Sequence, residues 1–266
     1  MQALDAKDLG RALCIITGAS RGFGRTTAIQ ISELVKPKSV LVLAARNVED
    51  LRMLQADLAA SKAGKAGVVF EYVVADLGVK EGVECVVKAI KLKSSEDFDH
   101  LILVNNAGSL GALRYARTFT DMSEVDSYMS FNLSSPICLT ACVLEAFPRR
   151  EGLRRTVVNV SSLCGLEPFL SWGLYCSGKA ARDMMFRVLA KEDPDIRVLS
   201  YSPGPLDTGM QEEARTLTAD NSLRNTFTDM FTKGQLLTCE ASCAKLMMLL
   251  LKDEYTSGAH IDFYEI

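Results

Sequence analysis

Residues 11–35 read RALCIITGASRGFGRTTAIQISELV, and this stretch decides the fold class. Its apolar start, which ends at Thr17, predicts a short buried strand, and the spacing of residues 25–35 predicts a helix. The turn between them contains three glycines, Gly18, Gly22 and Gly24. In that order they permit a tight turn, a close approach of the backbone to a ligand, and close packing of helix on strand. A strand, a glycine-rich turn and a helix in this order are typical of a dinucleotide-binding site.

Strand-length apolar runs recur along the rest of the chain, at residues 38–45, 67–75, 100–105, 156–161, 196–201 and 260–264. Helical patterns separate them, chiefly at residues 48–60, 124–147 and 241–251. Pro136 lies inside the second of these helices and is expected to kink or divide it. Alternating strands and helices predict an α/β fold, a doubly wound parallel sheet with helices on both faces. Residues 206–237 are polar and irregular, so we expect a lid there.

The composition fits one large domain and excludes several classes of function. The chain has 266 residues, 48% of them hydrophobic, and a formal net charge of −3. Positive and negative residues are interspersed, so nothing indicates capture of nucleic acid or of an anionic membrane. No uninterrupted apolar run reaches the ~18 residues of a membrane span, and the polar residues 1–8 do not resemble a signal peptide. We therefore expect a cytoplasmic protein.

The eight cysteines are scattered through apolar segments without the short spacings of a disulfide framework. They are predicted to be reduced and buried. The two histidines, His100 and His260, lie far apart in the sequence, and no zinc-type spacing is present. No metal site is predicted.

The type of dinucleotide is indicated by the end of the second predicted strand. An NAD site carries Asp or Glu about twenty residues after the glycines, whereas this chain has Arg46. Arg46, together with Arg21 in the glycine turn, can pair with the 2′-phosphate of NADP(H). Asp76, which follows the third strand, can reach the adenine edge.

A second cluster of chemistry lies at Ser162, Tyr175 and Lys179. If residues from Gly173 onward are helical, Tyr175 and Lys179 lie on one face, a turn apart. The ammonium is then expected to lower the pKa of the phenol, which makes Tyr175 a general acid at neutral pH. Ser162 follows a predicted strand and would lie at the carboxyl end of the sheet, where ligands of open α/β sheets bind. An ordinary surface pair of Tyr175 and Lys179 is the alternative interpretation.

These motifs together resemble the short-chain dehydrogenase/reductase family along the whole chain. The matching residues are 17–24 (TGASRGFG), 105–108 (NNAG), Ser162, Tyr175 and Lys179 with Asn132, and Pro203–Gly204. The resemblance implies one Rossmann domain over residues 1–266 with seven strands. It also implies hydride transfer between a nicotinamide and a carbonyl or alcohol, and a homodimer or tetramer built on paired long helices.

The resemblance also implies roles for individual residues. Ser162 would bind the reacting oxygen, Tyr175 would protonate it, Lys179 would hold the nicotinamide ribose, and Asn132 would keep a water for proton resupply. Ser161 is the nearest rival to Ser162, and the family spacing of thirteen residues to the tyrosine favours Ser162. For Asn132 an ordinary buried hydrogen bond to backbone remains an equal alternative. The implied cofactor contacts are Gly18, Ala19, Ser20, Arg21, Gly22, Phe23, Gly24, Arg46, Asn47, Asp76, Leu77, Asn105, Lys179, Leu206, Asp207, Thr208, Gly209 and Met210.

Within the family, residues 161–164, 172–184, 202–208 and 257–264 resemble the members that reduce the side-chain ketone of a reduced pterin with NADPH. That resemblance implies substrate contacts at Ser162, Tyr175, Gly204 and Asp262, with Asp262 holding the amino-pyrimidine edge. Taken alone, a carboxylate in so apolar a terminus predicts a structural partner such as an arginine or backbone N–H groups. Residues 10–110 would form the dinucleotide half and residues 111–266 the catalytic and substrate half, with the lid at 206–237.

Two other functions stay open at this point. One is reduction of other vicinal dicarbonyls by an enzyme of the same family. The other is a non-catalytic NADP(H)-binding regulator. Such a regulator would not need Tyr175 and Lys179, so the presence of both residues counts against it.

Overall fold

The computed structural model describes residues 8–266, which fold around one seven-stranded parallel sheet. Its strands are β1 (Ala12–Thr17), β2 (Val40–Ala45), β3 (Val69–Val74), β4 (His100–Asn105), β5 (Arg154–Val160), β6 (Ile196–Ser202) and β7 (Ala259–Asp262). Their order across the sheet is β3-β2-β1-β4-β5-β6-β7, and all six pairings are parallel. The chain therefore has the predicted doubly wound fold. The strand order reverses between β1 and β4, and this reversal opens a crevice at the carboxyl ends of those strands.

Helices cover both faces of the sheet. They are α1 (Gly22–Ser32), α2 (Val48–Ala60), α3 (Lys62–Lys65), α4 (Lys80–Lys91), α5 (Met122–Met129), α6 (Ser135–Ala146), α7 (Gly173–Glu192), α8 (Gly209–Leu217), α9 (Asn221–Thr232) and α10 (Cys239–Lys252). Strands β1, β2 and β4 are buried along their whole length, as expected for central strands of a parallel sheet. Helices α1, α2 and α10 contribute to one apolar cluster, and α4 and α6 contribute to another.

Helix α1 begins earlier than its apolar spacing predicts. It starts at Gly22 rather than at residue 25, and it ends at Ser32. Gly22 and Gly24 have no side chain to contribute to an apolar pattern, so the spacing of apolar residues does not show that they belong to the first turn. The early start brings the N-terminus of the helix directly into the glycine turn.

The long apolar stretch predicted as one helix at 124–147 is divided into three parts. Helix α5 continues into a π-helical segment, Ser130–Ser134, which is followed by α6. Pro136 lies in the first turn of α6, where a missing N–H costs least. Taken together, Met122–Ala146 is 25 residues long and contains an 18-residue window with a mean hydropathy of 1.2, so by length and composition it could cross a membrane. Helix α6 packs against α4, and core helices of soluble proteins pass the same test.

The prediction of an irregular segment at 206–237 was wrong, because this segment contains α8 and α9. Both helices are amphipathic and carry many exposed polar side chains, which hid their helical character in the sequence. The side chain of Asp220 caps the N-terminus of α9 by accepting a hydrogen bond from the Leu223 N–H at 2.9 Å.

The last strand is shorter than predicted and ends at Asp262 instead of residue 264. There Asp262 and Glu265 form a capping box that starts a 3₁₀ turn, Phe263–Glu265.

The eight cysteines are free, as predicted, but not all of them are buried: Cys85 and Cys138 are exposed. The expectation about a signal peptide concerns residues 1–8, of which 1–7 lie outside the described part of the chain.

Candidate active site

The glycine turn joins β1 to α1 at the crevice, and its shape depends on the absence of side chains. Gly18 has φ +66°, and a Cβ on it would lie 2.8 Å from Asn106 Nδ2. A Cβ on Gly24 would lie 2.3 Å from the Gly18 carbonyl oxygen. At the N-cap position Arg21 makes no side-chain capping bond, so the first N–H groups of α1 remain free for an anion. The turn thus fits the pyrophosphate of a dinucleotide.

Two arginines lie beside this turn. Arg21 and Arg46 are both exposed, and the Arg46 guanidinium lies 5.9 Å from the centre of the Phe131 ring. Asn47 caps α2, and its side chain accepts hydrogen bonds from two backbone N–H groups of that helix. The exposed Asp76 accepts a hydrogen bond from the Gly78 N–H at 2.9 Å. Of these four residues, Arg21 and Arg46 are the cations, and both are exposed to solvent at the carboxyl ends of the strands.

Other predicted cofactor residues fall into two groups. Thr208 lies against the turn, since a Cβ on Gly22 would lie 3.5 Å from Thr208 Cγ2, and Gly209 and Met210 then begin α8. Leu77 and Asn105, by contrast, have buried side chains. Leu77 packs in the core, and Asn105 Nδ2 donates to Thr140 Oγ1 at 2.9 Å.

Leu206 and Asp207 connect β6 to α8. Leu206 is bridged to Leu237, and the Asp207 N–H donates to the Leu237 carbonyl oxygen at 2.9 Å. Ala19, Ser20 and Phe23 complete the glycine turn, where Ala19 and Phe23 are buried and Ser20 is partly exposed. The structure therefore collects most of the predicted cofactor residues at one end of β1, β2 and β6.

The predicted catalytic residues meet at the carboxyl end of β5. Ser162 lies two residues after the end of β5, and its Oγ accepts a hydrogen bond from the Cys164 N–H at 3.2 Å. Tyr175 and Lys179 are one turn apart near the start of α7, as the sequence predicts, and both are buried. The Lys179 Nζ lies 5.5 Å from the centre of the Tyr175 ring and donates to the Val160 carbonyl oxygen at 2.7 Å.

The expected lowering of the Tyr175 pKa is not found in this state of the protein. Burial raises the pKa of Tyr175 well above its ordinary value, whereas hydrogen bonding from Ser162 and the charge of Arg182 act in the opposite direction. Burial also lowers the pKa of Lys179 to about 7, and the nearby positive charge of Arg182 adds to this effect. An isolated ammonium next to the phenol was therefore too simple an expectation, because desolvation acts on both groups.

Asn132 lies in the π-helical segment and is almost completely buried. Its Nδ2 donates to the Tyr128 carbonyl oxygen at 2.9 Å and to Ser109 Oγ at 3.2 Å, and its Oδ1 accepts from the Ser109 N–H at 2.8 Å. The structural interpretation, a buried hydrogen bond to backbone, is thus realised. The same bonds tie Asn132 to the loop that follows β4, on the side of the crevice where Tyr175 lies.

Asp262 and Gly204 lie together at the far edge of the crevice. Asp262 Oδ2 accepts a hydrogen bond from Ser202 Oγ, and its Oδ1 accepts from the Tyr264 N–H at 3.0 Å. These are the structural partners that the carboxylate predicts on its own. Gly204 has φ +76°, and a Cβ there would lie 2.7 Å from Leu237 Cδ1 and 3.6 Å from Phe263 Cβ. Each oxygen of Asp262 keeps a second lone pair for another donor.

An aromatic wall rises beside Tyr175. The Trp172 ring packs edge-on against Tyr175 with centroids 5.4 Å apart, and it stacks on Phe227 of α9 at 5.1 Å. Trp172 Nε1 donates to Thr218 Oγ1 at 2.9 Å. Helices α8 and α9 are therefore packed against the start of α7 and are not a loose loop.

Three residues near the site, two of them buried and one partly buried, were given no role by the sequence interpretation. Arg182 and Asp183 on α7 are buried, and His260 Nδ1 lies 2.8 Å from Asp183 Oδ2. The available signal was spacing: Tyr175, Lys179 and Arg182 stand at i, i+4 and i+7, the positions of one helix face. Only the first two were used.

Known proteins resemble this chain at two levels. It is 51% identical over 259 residues to the sepiapterin reductase of Bos taurus, covering 97% of this chain and 96% of the relative. It is 50% identical to the sepiapterin reductase of Xenopus laevis, with both chains covered completely. Its fold matches the crystal structure of L-sorbose reductase from Gluconobacter frateurii complexed with NADPH and L-sorbose. That match has a TM-score of 0.76 at 25% identity and covers 97% of each chain.

The family model described as short chain dehydrogenase matches residues 12–218. This range includes the glycine turn, Asn132, Ser162, Tyr175 and Lys179, and it spans the first six strands of the sheet. The chain belongs to the short-chain dehydrogenase family and is an oxidoreductase with a site for a nicotinamide cofactor.

Proposed function

We propose that the chain reduces the side-chain carbonyl of a reduced pterin with NADPH, and the relatives named sepiapterin reductase support this choice. The substrates would be sepiapterin, which yields L-erythro-7,8-dihydrobiopterin, and 6-pyruvoyl-tetrahydropterin. The observation that carries the proposal is the position of Tyr175, which is buried on α7 one turn before Lys179 and lies within hydrogen-bonding reach of Ser162. Identity near one half to sepiapterin reductases over almost the whole chain supports the choice of substrate.

The glycine turn and Lys179 would hold a nicotinamide cofactor, which would supply the hydride that the carbonyl carbon accepts. The Ser162 hydroxyl donates a hydrogen bond to the carbonyl oxygen as negative charge develops there, and the Tyr175 hydroxyl transfers its proton to that oxygen. Lys179 would bind the ribose hydroxyls of the nicotinamide cofactor. Asn132 orients a water that returns a proton towards Tyr175. Trp172 and Phe227 keep other water away from the reacting groups, and this strengthens each of these hydrogen bonds.

NADP(H) is our choice of cofactor because of the charge beside the glycine turn. Arg21 and Arg46 are exposed at the carboxyl edge, and neither forms an ion pair with an acidic side chain within residues 8–266. Both can therefore bind a phosphate dianion. We assign the remaining cofactor contacts to the turn at 18–24 and to residues 206–210 around Thr208.

The pterin ring is assigned to the edge formed by Gly204 and Asp262. Asp262 ends β7, and Ser162 follows β5, two strands away, so about 10 Å separates the two strand ends. That distance suits a bicyclic ring whose three-carbon side chain reaches Tyr175. The adjacent N–H donors of the amino-pyrimidine edge match the free lone pairs of the Asp262 carboxylate.

We further assign residues 10–110 to dinucleotide binding, residues 111–266 to catalysis and substrate binding, and residues 206–237 to a lid. The stacking of Phe227 on Trp172 supports the lid, because it places α9 over the aromatic wall. Opening this lid would separate two flat rings and expose Trp172, so substrate binding should change tryptophan fluorescence.

A homodimer is proposed through the outer faces of the long helices. Met184, Met185 and Val188 of α7 are 55%, 37% and 39% exposed, and they form an apolar stripe on one side of that helix. Light scattering of the wild type and of Met184→Glu tests this assembly. We also propose a cytoplasmic location, which agrees with the eight free thiols.

The decisive experiment follows NADPH absorbance with sepiapterin and, in parallel, with a simple vicinal diketone. We expect a higher kcat/KM for sepiapterin. A higher value for the diketone would favour the alternative of a general dicarbonyl reductase. NADPH binding without turnover of either substrate would favour a non-catalytic regulator, and Tyr175→Phe is the control for turnover at this site.

A further inference from the structure

Beneath the site lies a buried cation with no role in the mechanism described so far. Arg182 is 1% exposed, and its guanidinium donates to the Asn105 carbonyl oxygen at 2.6 Å, to Asn159 Oδ1 at 2.8 Å and to the Ala107 carbonyl oxygen at 3.4 Å. These oxygens belong to the carboxyl ends of β4 and β5 and to the loop after β4. A buried charge is costly to maintain, so its position requires an explanation.

The negative partner of Arg182 is close but does not touch it. Within residues 8–266, no carboxylate lies within 4.0 Å of the Arg182 guanidinium. Asp183 instead accepts from Asn159 Nδ2, from Ser161 Oγ and from His260 Nδ1, each at 2.8 Å. All contacts of Arg182 are therefore with neutral oxygens, and its positive charge is only partly compensated.

Arg182 lies on the same face of α7 as Tyr175, and its guanidinium reaches the loop after β4. Arg182 follows Tyr175 by seven residues, so the two side chains leave α7 on the same face, two turns apart. A Cβ placed on Gly108 would lie 4.0 Å from Arg182 Nη1 and 3.3 Å from Asn132 Oδ1. Arg182 thus reaches the loop after β4, which is also hydrogen-bonded to Asn132, the residue proposed to orient the water for proton return.

We propose that Arg182 is a positioning residue of the reduction, which holds the loop after β4 in place and stabilises negative charge on the Tyr175 oxygen. This role rests on the proposed function of Tyr175 as the proton donor. Arg182 would complement Lys179, whose ammonium the dinucleotide ribose engages, by supplying a cation that remains fixed in the protein.

The charges around the phenol agree with this role. Burial, the largest effect, raises the pKa of Tyr175, whereas Arg182 lowers it. Burial lowers the pKa of Lys179 to about 7 and that of Arg182 to about 10, so Arg182 keeps its proton over a wider pH range. The titratable groups near the phenol are Cys164 after β5, Tyr128 on α5, and Cys176, Lys179, Arg182 and Asp183 on α7, with His260 of β7 behind Asp183.

The test is the pH profile of kcat for carbonyl reduction in Arg182→Met, which removes the charge and keeps a side chain of similar length. Tyr175 must be protonated to act as an acid, so kcat falls at high pH. We call this fall the alkaline limb of the profile, and its midpoint reports the pKa of Tyr175 in the enzyme complex. We expect the limb to move to higher pH by about 0.5–1 pH unit, since a stabilising positive charge is lost. At neutral pH we expect kcat to fall on the order of tenfold.

Two variants separate charge from shape. Arg182→Gln keeps an N–H donor for the carbonyl oxygens but removes the charge, so its limb should move as that of Arg182→Met does even if kcat is better retained. Arg187→Met removes a positive charge from the exposed side of the same helix and should change neither quantity. A folded Arg182→Met enzyme with the wild-type limb would overturn the proposal.

If Arg182→Met does not fold, Asp183→Asn provides a test of opposite sign. Loss of the neighbouring negative charge should move the limb to lower pH, and an unchanged or higher limb would contradict the role of Arg182. The profile is read with whichever carbonyl the wild type reduces, sepiapterin or a simple diketone, so failure of the pterin assignment remains distinguishable. A readout without turnover is the ultraviolet phenolate absorbance of the NADP⁺ complex, with Tyr175→Phe subtracted. In Arg182→Met, the pKa read from this absorbance should rise, as the midpoint of the kcat limb does.

Discussion

The two halves of the crevice are lined by different chemical groups, backbone in one half and buried ionisable side chains in the other. Over β1 and β2, the proposed dinucleotide site consists of backbone, and the absence of side chains at Gly18 and Gly24 shapes it. Over β5 and β6, the site contains buried ionisable side chains, with Tyr175, Lys179 and Arg182 on one helix face. Phosphate binding needs N–H groups and a close approach, whereas proton transfer needs a group whose pKa the protein can adjust.

This contrast explains which changes each half tolerates. In the glycine half a single added methyl group meets backbone atoms that cannot move aside. In the catalytic half a substitution of similar volume keeps the packing and removes only chemistry. Changes in the first half should therefore impair folding and cofactor binding together, and changes in the second half should impair turnover alone.

Tyr175→Phe should have the largest effect and should leave the fold unchanged. It deletes one hydroxyl and little volume, so kcat should fall by about 10²–10⁴-fold because the proton donor is lost. NADPH affinity, measured by fluorescence titration, should stay within about twofold of the wild type, since no phosphate contact changes. Ser162→Ala should lose less than Tyr175→Phe. Near-normal kcat in Tyr175→Phe would remove Tyr175 from the mechanism.

Gly24→Ala should show the opposite pattern. The new Cβ would lie 2.3 Å from the Gly18 carbonyl oxygen and 2.4 Å from Asn106 Nδ2, so the turn must shift. We expect a loss of about 1–3 kcal/mol in the free energy of unfolding, from urea denaturation, together with weaker NADPH binding. Gly173→Ala is the helical control, because its Cβ would meet only Ala116 Cβ at 3.7 Å. Equal stability of both variants would show that the turn is not as tightly packed as these distances indicate.

Arg46→Ala tests the charge beside the glycine turn. Loss of a charge-assisted contact to phosphate costs about 1.5–3 kcal/mol, so the kcat/KM for NADPH should fall about tenfold or more while that for NADH changes little. Arg52→Ala, an exposed arginine on α2 paired with Glu49, is the matched control. Equal use of NADPH and NADH by the wild type would contradict the assignment of the 2′-phosphate to Arg46.

Asp262→Asn should have the smallest of these effects, because Ser202 and the Tyr264 N–H already use part of the carboxylate. We expect kcat/KM for sepiapterin to fall about tenfold, with reduction of a simple diketone unchanged. Glu265→Gln alters the same capping box but leaves the Asp262 carboxylate in place. It should therefore leave kcat/KM unchanged for both sepiapterin and the diketone. An equal loss on both substrates with a lower Tm would assign Asp262 to stability alone.

Local patterns determined most of the fold and part of the site. The glycine spacing and the alternation of strands and helices were sufficient for the doubly wound sheet, because a buried parallel strand is apolar along its whole length. Tyr175 and Lys179 could be paired from their spacing because α7 is one uninterrupted helix from Gly173. The division at Pro136 could be predicted for a similar reason, since proline acts on the backbone next to it.

Only the tertiary structure decided the direction of the Tyr175 pKa shift and the position of Arg182, the second cation of the site. The pKa of Tyr175 depends on how deeply α7 lies against β5 and β6, and desolvation is a property of the assembled fold. The contacts of Arg182 come from β4 and β5, up to 77 residues away in sequence, so only its helical spacing could have indicated it. Helices α8 and α9 were missed because their polar surfaces resemble a loop until Phe227 stacks on Trp172. Spacing along one element can be read from the chain, whereas burial depends on which elements meet.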